Sequence, residues 1–300
     1  VTPNARAQAQ IHFCVLLWGF TAILGKLISL PALALVCWRM ALVVAALLLL
    51  PRVWRGLRSL SPRLLGVYAG IGAVVALHWL SFYGAIKLSN ASVAASCLAL
   101  GSLFAALLEP WLTGSRFDPR ELLLGLLVLP GIWLLVGGVP AGFHGGIAVG
   151  MLSAFLTALF SVLNKRYVER ADPLTVTAIE LGAGLLFLLI LAEFWSGGGP
   201  RFPPPSPRDA LLLALLALAC TLLPFTLSLV ALRRISAFHT QLALNLEPVY
   251  AILLAIVLLG EQRELSPRFY AGVGIVLLAV FAHAWLGRRE RRPEAIALEH

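Results

Sequence analysis

Residues 236–260, SAFHTQLALNLEPVYAILLAIVLLG, form an apolar run long enough to cross a bilayer as a helix, with Glu247-Pro248 at its middle. An acid at a helix centre costs on the order of 2.5–3.5 kcal/mol on insertion scales, and Pro248 leaves a carbonyl one turn upstream without its donor. Both occur together chiefly where a helix lines a polar cavity. There Glu247 can bind a proton, a cation or a substrate amine, with Pro248 as a hinge. The structural alternative is an acid that closes the backbone gap at Pro248. At about 100° per residue, Gln241, Asn245 and Pro248 share one face and Thr240 and Glu247 another, so both faces meet one cavity only if the helix opens at Pro248.

Other residues carry chemistry at expected membrane depth. Arg39 can grip a carboxylate or phosphate as a bidentate fork, and Lys26 can do so as a point charge. Their structural alternatives are a counter-ion for Arg39 and a snorkelling ammonium for Lys26. Glu180 shares a small, polar helical stripe with Thr177 and Gly184, which suits either a binding role or a close helix contact. His78 and Trp79, with Phe82 and Tyr83 one turn on, can stack a flat or cationic substrate or form an interfacial belt. Ser102 lies on a stripe with Ala91, Ala95, Ala106 and Glu109 that reads as close packing or as room for a substrate.

The elements that must position these residues are membrane helices. The chain is 60% hydrophobic and 12% charged, with mean hydropathy +0.92, which describes a polytopic membrane protein. Hydropathy with breaks at Pro, Gly and charge clusters predicts ten spans, near 10–30, 32–50, 64–86, 91–113, 121–139, 146–163, 173–195, 209–232, 236–259 and 269–286. Sixteen basic residues fall in connections on the N-terminal side and five on the other, so both termini are expected in the cytoplasm. The net charge of +9 does not point to nucleic acid, because no soluble region is large enough for a basic platform. Cys14, Cys37, Cys97 and Cys220 lie scattered within apolar runs, which suggests neither disulfides nor zinc. No cleavable signal peptide is expected, and the 287–300 tail ends in Leu298-Glu299-His300, which resembles the stub of an expression tag.

The chain repeats itself. Ala85-Ile86-Lys87-Leu88-Ser89-Asn90-Ala91 aligns with Ala231-Leu232-Arg233-Arg234-Ile235-Ser236-Ala237 at an offset of 146 residues, and Gly114 then falls on Gly260. Pro31 matches Pro173, and Lys26 matches Lys165. Five spans per repeat is an odd number, so residues 10–139 and 146–286 are expected as two inverted repeats with a site between them.

These residues carry a resemblance to EamA-type members of the drug/metabolite transporter superfamily. It rests on Trp18-Gly19 followed by Lys26, on Pro31 and Arg39, on Ala231-Leu232-Arg233 with Ser236-Ala237, on Leu246-Glu247-Pro248 and on Leu259-Gly260-Glu261, and it spans Phe13 to Trp285. The resemblance implies an all-α, ten-helix secondary carrier in the bacterial inner (plasma) membrane, more often an exporter, with no cofactor. The first repeat departs from the pattern, with Gly101-Ser102 in place of Glu247-Pro248 and Ser115 in place of the acid Glu261. An unbroken fourth span is the expectation.

The expected function is alternating-access export of a small metabolite such as an amino acid, with proton coupling through Glu247, exchange and facilitated diffusion all open. The alternative is a flippase for lipids or lipid-linked substrates on the same fold. An integral-membrane enzyme is disfavoured, because His12, His78, His144, His239 and His283 are dispersed without paired carboxylates. No glycine-rich phosphate loop is present, so the carrier does not hydrolyse a nucleotide itself.

Overall fold

The computed structural model describes residues 3–194, 202–244 and 246–290. Among them the regular structure is helical throughout, in the order α1 Pro3–Leu27, α2 Ala32–Leu48, α3 Pro51–Ser59, α4 Pro62–Leu88, α5 Ala91–Cys97, α6 Gly101–Thr113, α7 Pro119–Leu126, α8 Leu129–Gly137, α9 His144–Tyr167, α10 Pro173–Glu193, α11 Pro207–Ala217, α12 Leu223–Leu232, α13 Ala237–Leu244, α14 Glu247–Leu259 and α15 Pro267–Glu290. Prolines and polar caps set the starts. Ser61, Asn90, Asp172 and Ser206 each accept a backbone N–H three residues on, and prolines open α3, α4, α10 and α11, where the missing N–H is not needed. Large apolar side chains such as Trp111, Leu211 and Val257 face outward while Arg39, Glu180 and Glu247 are buried, as suits a helical membrane protein.

Six of the helical stretches are long and apolar enough to cross a bilayer unaided. The others show why the predicted spans are interrupted. The second span ends at Leu48, and the chain turns by 91° into α3, whose arginines sequence reading leaves in a plain connection. Pro51 starts α3, Val53 is buried beneath it, Trp54 Nε1 donates to the Leu48 carbonyl (2.8 Å), and Arg52, Arg55 and Arg58 are exposed, the pattern of a helix lying in the interface. The fourth span, expected unbroken, tightens into a 3₁₀ turn at Leu98–Leu100 yet still passes as one stretch, Ala91–Thr113. The fifth breaks ahead of Pro130, and the eighth, α11 to α12, contains a π turn at Leu218–Leu222 ahead of Pro224. The ninth divides between α13 and α14, with Glu247 and Pro248 in the first turn of α14.

The two halves are threaded through one another. From the first half, α4 packs on α9 and α10 while α1 packs on α12 and α14. Repeat-related basic residues seal helix ends in the same manner. Lys87 Nζ, at the end of α4, donates to the Ile28 carbonyl just past α1 (2.6 Å). Its equivalent Arg233, just past α12, donates to the carbonyls of Val168 (3.3 Å) and Ala171 (2.7 Å) just past α9. Each supplies positive charge where helical carbonyls end. The caps at α5 and α13 break the symmetry. Glu261 accepts from the N–H groups of Ala91 and Ser92 (3.0 Å each) and from the Ser92 hydroxyl (2.7 Å), whereas the equivalent of Glu261 in the first half is Ser115.

The backbones of α8 and α15 approach closely at Gly131 and Gly272: an added Cβ at Gly131 would stand 2.8 Å from the Gly272 carbonyl and 3.0 Å from the Val276 nitrogen, and one at Gly272 would stand 2.6 Å from the Gly131 carbonyl. Gly131→Val is expected to destabilise by about 1–3 kcal/mol in thermal unfolding of purified protein, whereas Gly66→Ala, in open space within α4, should stabilise by about 0.5–1 kcal/mol. Equal effects would place the α8–α15 contact elsewhere.

Candidate functional site

Between the halves lies a cavity of about 790 Å³, the open space at its mouth included. Arg39 enters from α2, Trp18 and Thr21 from α1, and His78, Trp79 and Phe82 from α4. The second half supplies Thr157, Phe160, Ser161 and Asn164 from α9, Phe225, Ser228 and Leu229 from α12, Thr240 from α13 and Glu247 from α14.

Arg39 is 2% exposed, and its charge is held by neutral groups. Nε donates to Thr221 Oγ1 (2.6 Å), Nη1 donates to the Tyr83 hydroxyl (2.8 Å), and Cζ lies 3.8 Å from the centre of the Trp79 ring. The π turn makes this possible. Thr221 Oγ1 donates to the carbonyl five residues earlier, Leu216 (2.6 Å), which orients its remaining lone pair for the guanidinium. Arg39 takes part in no salt bridge with a described residue, so no described carboxylate touches it. Glu247 faces the same cavity from the other half without forming a salt bridge to Arg39.

His78 has a fixed role. Its Nδ1 sits 2.9 Å from both the Ser153 carbonyl and the Ser153 hydroxyl, which ties the ring to α9 in either tautomer. Ser153 Oγ in turn donates to the His78 carbonyl (3.2 Å), which joins α4 to α9. The His78 ring packs on Phe82 and on Phe160, whose ring centre is 5.4 Å away. Trp79 meets the Phe225 ring at 6.2 Å in a T-shaped arrangement, which completes an aromatic wall beside Arg39.

The candidate residues therefore separate. Arg39, His78, Trp79 and Glu247 line one cavity, and Tyr83 reaches it through Arg39. Thr240 and Glu247, which share a helical face, both line it. Pro248 is buried in the first turn of α14. Lys26 is exposed at the end of α1 and away from the lining, while Ser102 is buried in α6 with its hydroxyl donating to the Ala99 carbonyl (3.1 Å), also outside the lining. Glu180 stands behind the wall and bonds to Asn164. Asn245 and the Gln241 side chain lie outside the described residues. Sequence reading missed the polar stripe of α9, Thr157, Ser161 and Asn164, although its spacing of four and three residues is legible as one face. Among the described residues, no group of three His, Cys, Asp or Glu side chains could hold a metal ion.

A family model described as the EamA-like transporter family matches residues 9–137 and again residues 144–284. The chain belongs to the EamA-like transporter family. This EamA-like protein is thus a two-repeat membrane transporter rather than an enzyme, and it lies within the drug/metabolite transporter superfamily. It is 23% identical over 67% of its length to an uncharacterized transporter of Archaeoglobus fulgidus, covering 69% of that protein, and 24% identical over 79% of its length to one of Clostridium kluyveri, covering 78%. It is also 30% identical to the chloroplastic phosphoenolpyruvate/phosphate translocator 2 of Arabidopsis thaliana, over 44% of this chain and 35% of that protein. A solved crystal structure shares the fold at TM-score 0.68 and 19% identity, over 95% of this chain and 98% of that one.

The Arg39 network is testable through its hydroxyls. Tyr83→Phe and Thr221→Val each remove one acceptor from a buried cation and should cost about 1.5–3 kcal/mol in thermal unfolding. Unchanged stability in both would show that the guanidinium is held by other groups.

Proposed function

We propose that this EamA-like transporter is an alternating-access carrier that exports a small zwitterionic metabolite of the amino-acid type. The observation that carries the reading is the pair Arg39 and Glu247, a guanidinium and a carboxyl group that face one cavity from different repeats without touching. A ligand bearing both a carboxylate and an ammonium satisfies the two at once, the carboxylate on the guanidinium fork and the ammonium on Glu247. Trp79, Phe160 and Phe225 offer apolar and π surface for the remainder. The charge bias of the connections supports cytoplasmic termini in the plasma membrane, and a site between inverted repeats supports a rocking cycle about it. The phosphoenolpyruvate/phosphate translocator among its relatives favours a second reading, an organic anion gripped by Arg39 alone.

The test is thermal stability against a panel of amino acids, organic anions including phosphorylated acids, sugars, flat cations and lipid headgroups. A ligand at about 100 times its Kd stabilises by roughly 2.7 kcal/mol. The expected hits are amino acids, lost in both Arg39→Ala and Glu247→Gln. Hits confined to anions and kept in Glu247→Gln would replace this reading with the organic-anion one, and stabilisation by lipid headgroups alone would replace it with a flippase.

A further inference from the structure

Behind the cavity wall the structure contains an acid and an amide that are one proton short. Glu180 is wholly buried in α10, and Asn164, 1% exposed, belongs both to this pair and to the cavity lining. Asn164 Nδ2 donates to Glu180 Oε2 (3.2 Å). The two remaining oxygens, Asn164 Oδ1 and Glu180 Oε1, are both enclosed and both without a hydrogen-bond partner. Each is an acceptor, and two acceptors cannot satisfy one another. A single proton on Oε1 would turn that oxygen into a donor, and with Oδ1 as its acceptor a cyclic acid–amide pair would satisfy both oxygens. Exchanging the amide oxygen and nitrogen leaves the same deficit, because Oδ1 would then face Oε2, acceptor against acceptor.

The surroundings supply no counter-charge for an ionised Glu180, and an unpaired carboxylate in such a place is strongly disfavoured. From α4, Tyr68 is the neighbouring titratable group, its hydroxyl donating to the Tyr167 carbonyl (2.9 Å), while His78 is tied to Ser153. From α2, Arg39 is engaged by Thr221 and Tyr83. From α3, Arg52 pairs with Asp172, and Arg55 and Arg58 are exposed. From α9, Lys165 Nζ donates to the carbonyls of Leu232 (2.7 Å) and Ile235 (2.9 Å) and Arg166 to that of Leu112. Residues 223–232 of α12 hold no titratable side chain. Glu180 is also fixed in place, since its backbone presses on Gly72 of α4, where any Cβ would collide with the Glu180 carbonyl.

We propose that Glu180 and Asn164 form a proton-binding site, distinct from the Arg39–Glu247 clamp, that holds one proton between carboxyl and amide and exchanges it with the cavity through Asn164. On release the O–H bond of Glu180 breaks, its electron pair stays on Oε1 and the proton passes to cavity water. Asn164 Nδ2 still donates to Oε2 of the carboxylate, while Asn164 Oδ1 loses its donor and is left to accept one from the cavity side, which links proton occupancy to the substrate space. Only that last link rests on the carrier reading.

The test is infrared difference spectroscopy of the purified full chain as buffer is switched from acid to alkaline, with the proton itself as probe. A carboxylic-acid carbonyl band should be lost and a carboxylate band gained. That component should vanish in Glu180→Gln, shift in frequency in Asn164→Ala and persist in Glu247→Gln. Glu180→Gln supplies its own N–H to Asn164, so it should remain folded and lose the pH dependence of thermal stability contributed by this pair. An unchanged infrared difference in Glu180→Gln, or a carboxylate at Glu180 in acid and alkaline buffer alike, overturns the site. A melting shift with sodium against choline chloride at fixed pH, lost in Glu180→Gln, would assign the site to a metal cation and overturn the proton. No substrate is needed, so failure here leaves the cavity clamp standing, and failure of the clamp leaves this result standing.

Discussion

A guanidinium buried in a membrane protein with no carboxylate against it constrains much of what surrounds it. Arg39 cannot lose its charge, so that charge must be met by dipoles, π faces and whatever occupies the cavity. Several local features follow from this requirement. The π turn at Leu218–Leu222 would weaken a purely structural helix, yet it sets Thr221 where Nε can reach it. Tyr83 is wholly buried except for its use as an acceptor, and Trp79 lies flat beneath the cation. A site preorganised by neutral groups keeps the fork available for an incoming anion, which a structural ion pair would not.

The repeat architecture explains how a guanidinium and a carboxyl group come to share one cavity without touching. Arg39 belongs to the first half and Glu247 to the second, and the interleaving of α1 and α4 with α9, α12 and α14 brings both to one space. Symmetry is kept at the helix ends, where Lys87 and Arg233 cap equivalent carbonyls, and is lost in the broken ninth column and at the Glu261 cap. One end of the molecule therefore has a carboxylate bolt between α5 and the turn after α14 that its repeat-related end lacks.

Much of this was legible in the sequence, for identifiable reasons. Glu247-Pro248 advertised a break because acid and proline are both costly in an apolar run, and α14 does begin there. Apolar runs punctuated by prolines located the helical columns, since backbone groups in lipid leave no other solution. The α3 helix was not legible, because nine residues rich in arginine resemble any basic connection until Val53 is seen buried. The role of Thr221 was hidden for another reason, since it depends on a contact across 182 residues and on a local helical register that no periodicity reports. Asn164 was overlooked beside Lys165, although it falls on the stripe begun by Thr157 and Ser161.

The account turns on whether one ligand spans Arg39 and Glu247. The most direct measurement is calorimetric binding of an amino acid that stabilises the protein, compared with its carboxamide and with its deaminated acid. Each analogue keeps the side chain and deletes one charge. The account predicts that both lose at least about tenfold in affinity, roughly 1.4 kcal/mol each. Equal binding of the amino acid and its deaminated acid would leave Glu247 without a substrate partner and contradict the clamp.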